Sequence, residues 1–183
     1  MKTSCDKNDS ERDQSSDMSV FDAIATRKST RRFNSRSLDN RSIKSIIEFA
    51  DKAPSAKDRK PWSFVVITDQ SIKVAIAHIL YEAARTPTNA SSIRDGVEKS
   101  ADAIVQAPVV LIACDSQTTG VGKDSHPADL LSIGAAIENA LLAATGFGLK
   151  SLWVGDVLEA RVEIANLLSL EHPIISAILL GYR

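Results

Sequence analysis

The sequence predicts an α/β protein in which helices flank a β-sheet. Three observations point there. Short runs rich in β-branched and aromatic residues, at 62–68 (WSFVVIT), 108–114 (PVVLIAC), 150–154 (KSLWV) and 174–182 (IISAILLGY), each follow at least one helical stretch. One long segment, 127–148 (PADLLSIGAAIENALLAATGFG), repeats large aliphatic residues at three- and four-residue steps without a breaker. Apolar residues make up 44% of 183 residues, enough for the core of one domain of ordinary size. A two-layer or three-layer α/β arrangement satisfies all three.

Taken in order, residues 1–17 form a polar tail (MKTSCDKNDSERDQSSD). After Met1 it has no aromatic or large aliphatic residue to offset the entropy of ordering, so disorder is expected there and a single folded domain over 18–183. Ser19 is placed to cap a short helix whose apolar side carries Val20, Phe21 and Ile24. A basic turn follows at 27–33 (RKSTRRF). Asp39 or Asn40 caps a second helix with Ile43, Ile46, Ile47 and Ala50 on one face, closed by Pro54. After a charged loop at 55–60 comes the first strand. Helices are expected over 71–84, 93–106 and 157–168, and loops over 86–92 and 115–124.

The segment 127–148 is the central helix. Leu130, Leu131, Ile133, Ile137, Leu141 and Leu142 supply its bulk, and Ala135, Ala136, Ala140, Ala143 and Ala144 let neighbours approach. This distribution predicts a helix buried on most of its girth, covered by the rest of the chain or by a second copy. Gly146 and Gly148 are expected to stop it.

Composition excludes several classes. The formal charge is −1, from 22 basic and 23 acidic side chains, so nothing suggests nucleic-acid binding. Cys5 and Cys114 are too few for a disulfide framework, and a reducing, cytoplasmic compartment fits them. The N-terminus shows no signal-peptide pattern, and no window is expected to span a membrane because Asp129 and Glu138 interrupt the longest apolar stretch. The three histidines have no metal-ligand spacing. The dinucleotide-binding glycine fingerprint and the phosphate-loop motif are both missing.

Three stretches can carry chemistry. Arg27, Lys28, Arg31 and Arg32 crowd into six residues around Ser29 and Thr30. Guanidinium and hydroxyl donors in this density suit phosphate oxygens, and Arg27, Ser29 and Arg31 would share a face if extended. A solvated charged turn would show the same pattern. The second stretch is 55–62 (SAKDRKPW), where Arg59 and Lys60 can add to a positive pocket and Trp62 is read first as core. The third is 146–155 (GFGLKSLWVG), whose glycines allow a flat ligand near the backbone or simply cap a helix. Asp58, Asp129 and Glu138 read as isolated carboxylates, His126 as a loop residue, a cap neighbour or a pocket donor, and Cys114 as an inert buried thiol. With no acid–base pair in view, a redox cofactor bringing its own chemistry becomes attractive.

In combination these stretches resemble the nitroreductase family of FMN-dependent oxidoreductases, over about 20–182. The matching positions are Arg27, Ser29 and Arg31 in Arg-x-Ser-x-Arg, then Ala53, Pro54 and Ser55, then Pro61 and Trp62. They continue with Asn139 on the central helix, Gly148 and Leu149, Trp153 and Gly155, and finally Leu180, Gly181 and Tyr182. The resemblance implies a mixed, mainly antiparallel sheet flanked by helices, with the central helix at a homodimer interface where FMN lies. It implies that Arg27, Lys28 and Ser29 hold the phosphate and ribityl chain, with Arg31 near the pyrimidine edge of the ring. The backbone of Trp153, Val154 and Gly155 would lie beside the ring, and Pro54, Ser55, Asp58 and Lys60 would also contact the cofactor. NADH or NADPH would be the electron donor and a nitroaromatic, quinone or similar small flat molecule the acceptor. A flavin-binding protein for sensing or storage shares the same contacts, and an interaction protein with a merely solvated basic turn is a further alternative. Asp58 and Lys60 depart from the Asn and Gln of the family pattern, which bears on redox tuning. Many relatives continue past the equivalent of Arg183 with a basic tail, part of whose role is expected to fall to Arg183.

Overall fold

The computed structural model describes residues 18–85 and 91–183, so the expected tail at 1–17 and most of the 86–92 loop lie outside the described residues. The fold is a three-layer α/β/α sandwich. Its four strands are β1 (Trp62–Ile67), β2 (Val109–Asp115), β3 (Lys150–Val154) and β4 (Ile174–Gly181). They lie in the order β1-β2-β4-β3, and every neighbouring pair is antiparallel. The expected sheet, mixed but mainly antiparallel, is antiparallel in all four strands, and among the described residues its parallel component is one isolated bridge, Ser29 to Ser151.

The period of two along β2 builds both faces of the core. Val109, Leu111 and Ala113 point to one side, where Ile43, Ile46 and Ala50 of α2 (Asn40–Ala50) and Ile133, Ile137 and Leu141 of α5 (Pro127–Gly146) meet them. Val110, Ile112 and Cys114 point to the other side. There they meet α3 (Gln70–Ala84), α4 (Ser91–Gln106) and α6 (Arg161–Leu167). A strand buried on both faces reads as a continuous apolar run, as PVVLIAC does.

The ends of the elements follow local chemistry. Asp39 caps α2 through the Ser42 N–H at 2.8 Å. Asp69, not the expected Ser71, leads α3, accepting from the Ser71 N–H at 2.7 Å. His126 is the cap of α5 itself: its Nδ1 accepts from the Ala128 N–H at 3.1 Å, and Pro127 takes the first helical position. At the other end, Gly148 adopts φ +72°. Its N–H donates to Thr145 O and the Leu149 N–H to Ala144 O, both at 2.9 Å, the paired bonds of a left-handed helix stop. The expected helix at 157–168 divides into a 3-10 turn, Asp156–Ala160, and α6.

One burial expectation is corrected. On α1 (Val20–Thr26) only Ala23 is buried, while Val20, Phe21 and Ile24 face outward. Within one chain the α5 helix is half buried, with Leu131 78% exposed, so this chain by itself does not supply the cover expected for most of its girth. By length and composition α5 is also apolar enough to cross a membrane, contrary to the expectation from its charges, but its buried side packs on the sheet.

Candidate functional site

The basic stretch after α1 leaves its helix at Arg27 and runs beside the edge strand β3. The Ser29–Ser151 bridge and the Thr30 N–H to Ser151 O bond at 2.9 Å fix that course. The sequence places cations on this segment, and the bridge aligns them with β3. The result is a polar cavity of about 180 Å³ lined by Arg27, Lys28, Ser29, Lys150, Ser151 and Arg183, with Thr145 at the end of α5. Four cationic residues line it, with no Asp or Glu among the described lining residues. Sequence reasoning singled out the first three residues and named Arg183 without placing it, but did not single out Lys150 or Thr145. The signal for Lys150 lay in its place at the start of a strand beside the Gly148 turn.

Arg27 has a long ion pair, Nε to Glu138 Oε1 at 3.8 Å, so Glu138 is not isolated as expected. A guanidinium carries five N–H donors, so this one long contact does not use up its capacity to bind an anion. Arg31 does not join Arg27 and Ser29. It lines a separate cavity of about 550 Å³ with Asp95, Gly96, Lys99, Ser100 and Asp156. The shared face expected from simple alternation does not hold for all three: Arg27 and Ser29 line the first cavity together with Lys28 between them, and Arg31 lines the second. The Ser100 hydroxyl donates to Asp156 at 2.5 Å, tying α4 to the turn after β3. Asp156 directly follows Gly155, so the Arg31 cavity begins where the 153–155 segment ends.

In that segment Val154 is buried, and Gly155 is exposed with nothing within 4 Å of the position a Cβ would take. The Trp153 ring is 44% exposed. Its Cη2 would lie 3.9 Å from a Cβ at Gly134. A wide aromatic ring and an open glycine thus lie further along β3, outside the lining of the cation cavity.

The 55–60 loop lies elsewhere. Pro54, Asp58 and Lys60 are exposed and Ser55 is half-buried. Lys57, Asp58 and Lys60 all have left-handed backbones, with φ of 56°, 51° and 45°. Arg59 does not add to the positive pocket, because its Nη2 donates to Asp129 Oδ1 at 2.6 Å. Asp129 is therefore not isolated either. Trp62 is core, and its Nε1–H donates to the Asp51 carboxylate at 2.7 Å. Cys114 is buried, and burial pushes its thiol up to about 11. That suits the inert role expected of it.

The loop and the cation cavity sit at diagonal corners of the sheet. Lys150 pairs with Gly181 at one end of one edge, and Trp62 pairs with Asp115 at the other end of the opposite edge. Three strand spacings separate the edges by about 14 Å, and six residues of β2 add about 20 Å along the strands. The α5 helix runs between them, with Thr145 at the cavity and Ser132 at the loop.

The Nitroreductase family model matches residues 24–182. The chain belongs to the nitroreductase family. It is 32% identical over 173 residues to a Methanothermobacter thermautotrophicus protein named for NADH dehydrogenase and NAD(P)H nitroreductase activity, covering 91% of this chain and 78% of the relative. Among solved structures, a nitroreductase with bound FMN from Desulfitobacterium hafniense superposes with a TM-score of 0.76 at 20% identity, covering 89% of this chain and 88% of the other. Nitroreductase A from Vibrio parahaemolyticus gives 0.72 at 18% identity; 89% of this chain aligns, but it spans only 66% of that longer chain. Family and fold fit FMN-dependent oxidoreductase activity, and both support a catalytic oxidoreductase role in general terms.

Proposed function

We propose that the chain is an FMN-dependent NAD(P)H oxidoreductase that works as a homodimer. The observation that carries this reading is the cavity where Arg27, Lys28, Lys150 and Arg183 meet with no Asp or Glu among the described lining residues. Such a donor set fits a phosphate, since charge-assisted bonds to phosphate oxygens offset the cost of bringing cations together. The chemistry supplied by FMN is hydride transfer through its N5 from NADH or NADPH to a small flat acceptor such as a nitroaromatic or a quinone.

The residues of this chain then have distinct tasks. Arg27, Lys28 and Ser29, helped by Lys150 and Arg183, bind the phosphate and hold the ribityl chain along β3. Arg31 places a fixed positive charge toward the pyrimidine side of the ring, where negative charge grows on reduction. The Trp153–Gly155 backbone offers a surface beside the ring, with space at Gly155 for close approach. The protein's contribution to rate is orientation, holding donor and acceptor in turn at about 3–3.5 Å from the reacting atom.

A second copy is part of this reading. The loop with Ser55, Asp58 and Lys60 is too far from the cation cavity of its own chain to share one flavin with it. A two-fold dimer across α5 brings the loop of one copy toward the cavity of the other. The outward-facing Phe21 and Leu131, each 78% exposed, supply apolar surface for that contact.

The test is spectroscopic. Purified protein titrated with FMN should show the bound-flavin absorbance, bleach anaerobically with NADH or NADPH, and recover on adding a quinone. A protein that binds no FMN defeats the reading. Bound flavin that NAD(P)H never bleaches would instead mark a storage or sensing protein.

A further inference from the structure

The 55–60 loop holds an unusual backbone. Three of the four residues from Lys57 to Lys60 are left-handed and none is glycine. Each such residue costs on the order of 1 kcal/mol, so the conformation persists only where its surroundings impose it. Those surroundings are on α5. The Ala56 N–H donates to Ser132 Oγ at 3.2 Å, and that hydroxyl donates on to Ala128 O at 2.7 Å. Within the loop, the Lys60 N–H donates to Ser55 Oγ at 3.0 Å. The strongest tie is the Arg59–Asp129 pair at 2.6 Å. Asp129 is only 3% exposed, in the first turn of α5, where the helix dipole favours a carboxylate. A carboxylate that deeply buried needs a partner, and Arg59 is the partner it has.

We infer that Arg59 and Asp129 are positioning residues for flavin binding: their ion pair clamps the 55–60 loop to α5 and holds Ser55, Asp58 and Lys60 ready for the ring. This rests on the proposed function, which assigns those three residues to the cofactor. A loop held in its bound shape beforehand binds more tightly, because the cost of ordering it is already met in the free protein. The two parts of the cofactor site then act on different parts of the ligand. Arg27 and its neighbours act on the phosphate, and the clamp acts on the ring through the loop.

The test compares FMN with riboflavin, which lacks the phosphate. The variant R59M/D129L replaces the pair by apolar side chains of similar bulk, a change that buried ion pairs often tolerate without loss of stability. It should melt near the wild-type temperature without flavin, yet its Kd should rise about tenfold or more for FMN and riboflavin alike. R59K, which keeps the charge, should recover most of that loss. R27A should weaken FMN while leaving riboflavin nearly unchanged. If the double variant is folded and binds both ligands as the wild type does, the inference fails. It also fails if FMN alone weakens, because the effect would then run through the phosphate. If the double variant does not fold, R59K and R59Q carry the same comparison: R59Q should weaken both ligands more than R59K, and equal affinities would overturn the inference. Wild-type protein that binds neither ligand would instead refute the proposed function, so the two failures are distinct.

Discussion

Arg27 shows how one residue belongs to two arrangements. Its Nε meets Glu138 at 3.8 Å, and the same residue lines the cation cavity. Removing one charge-assisted phosphate contact costs about 1.5–3 kcal/mol, so R27A should raise the FMN Kd by roughly ten- to a hundredfold. Isothermal titration would measure it, and an unchanged Kd would move the phosphate elsewhere. Asp115, at the end of β2, illustrates a different balance. Burial pushes its carboxyl up, but the hydrogen-bond donors around it together outweigh burial and hold it below the usual range: the Ser125 hydroxyl, and the Gln117 N–H and Thr118 hydroxyl, both at 2.9 Å. A carboxyl lowered in the folded state stabilises the protein above its unfolded pKa of about 3.9, and that stability is lost as pH falls through the folded value. Urea midpoints measured down the pH scale should therefore drop below about pH 4, and D115N should flatten that part of the drop. Gly181 has a third kind of constraint. A Cβ there would lie 2.7 Å from Pro108 Cδ and 2.8 Å from Phe33 Cδ1. G181A should thus destabilise by about 1–3 kcal/mol, through contact with two rings that cannot easily yield.

At the scale of elements, α5 joins the parts of the molecule. Its buried side closes one core layer, its first turn holds the 55–60 loop, and its last turn borders the cation cavity. Its termination matters because Gly148 redirects the chain into β3, and β3 carries Lys150 and aligns the basic segment. The left-handed φ of +72° at Gly148 costs an alanine about 1–2 kcal/mol. G148A should lower the melting temperature and also weaken FMN, since a shifted β3 moves Lys150 and Ser151. A lower melting point with unaltered flavin affinity would separate the helix stop from the site.

At the scale of the whole molecule, the exposed apolar residues are the informative ones. Val20, Phe21 and Ile24 on α1, Phe49 at the end of α2, and Leu131 and Phe147 around α5 leave one side of the sandwich with large apolar groups outward. Between α1 and α5 an apolar cavity of about 480 Å³ is lined by Val20, Phe49, Leu142 and Phe147. Surface of this kind on a small protein marks an interaction site. Under the dimer reading, L131E should shift sedimentation from dimer to monomer and release flavin at the same time, because each site needs both copies. A monomeric wild type that holds FMN tightly would refute the dimer.

Much of the architecture was legible in the sequence because it depends on local periodicity and turn chemistry. The apolar runs PVVLIAC and IISAILLGY became β2 and β4, and Asp39 and Gly148 end their helices as side-chain and backbone chemistry require. The order of the basic, Pro-Trp and Trp-x-Gly stretches was enough to indicate the family. What the sequence by itself determined was therefore the list of elements, their caps and the supply of cations. Only the tertiary structure decided which cations meet. Lys150 joins Arg27 because β3 is an edge strand, whereas Arg31 lines a separate cavity and Arg59 pairs with Asp129. It also turned Phe21 and Leu131 outward, since a four-stranded sheet offers limited area and α2 and α5 already fill one face of it. Periodicity marks one side of a helix as apolar, but the space left by other elements decides whether that side meets the core, solvent or another molecule.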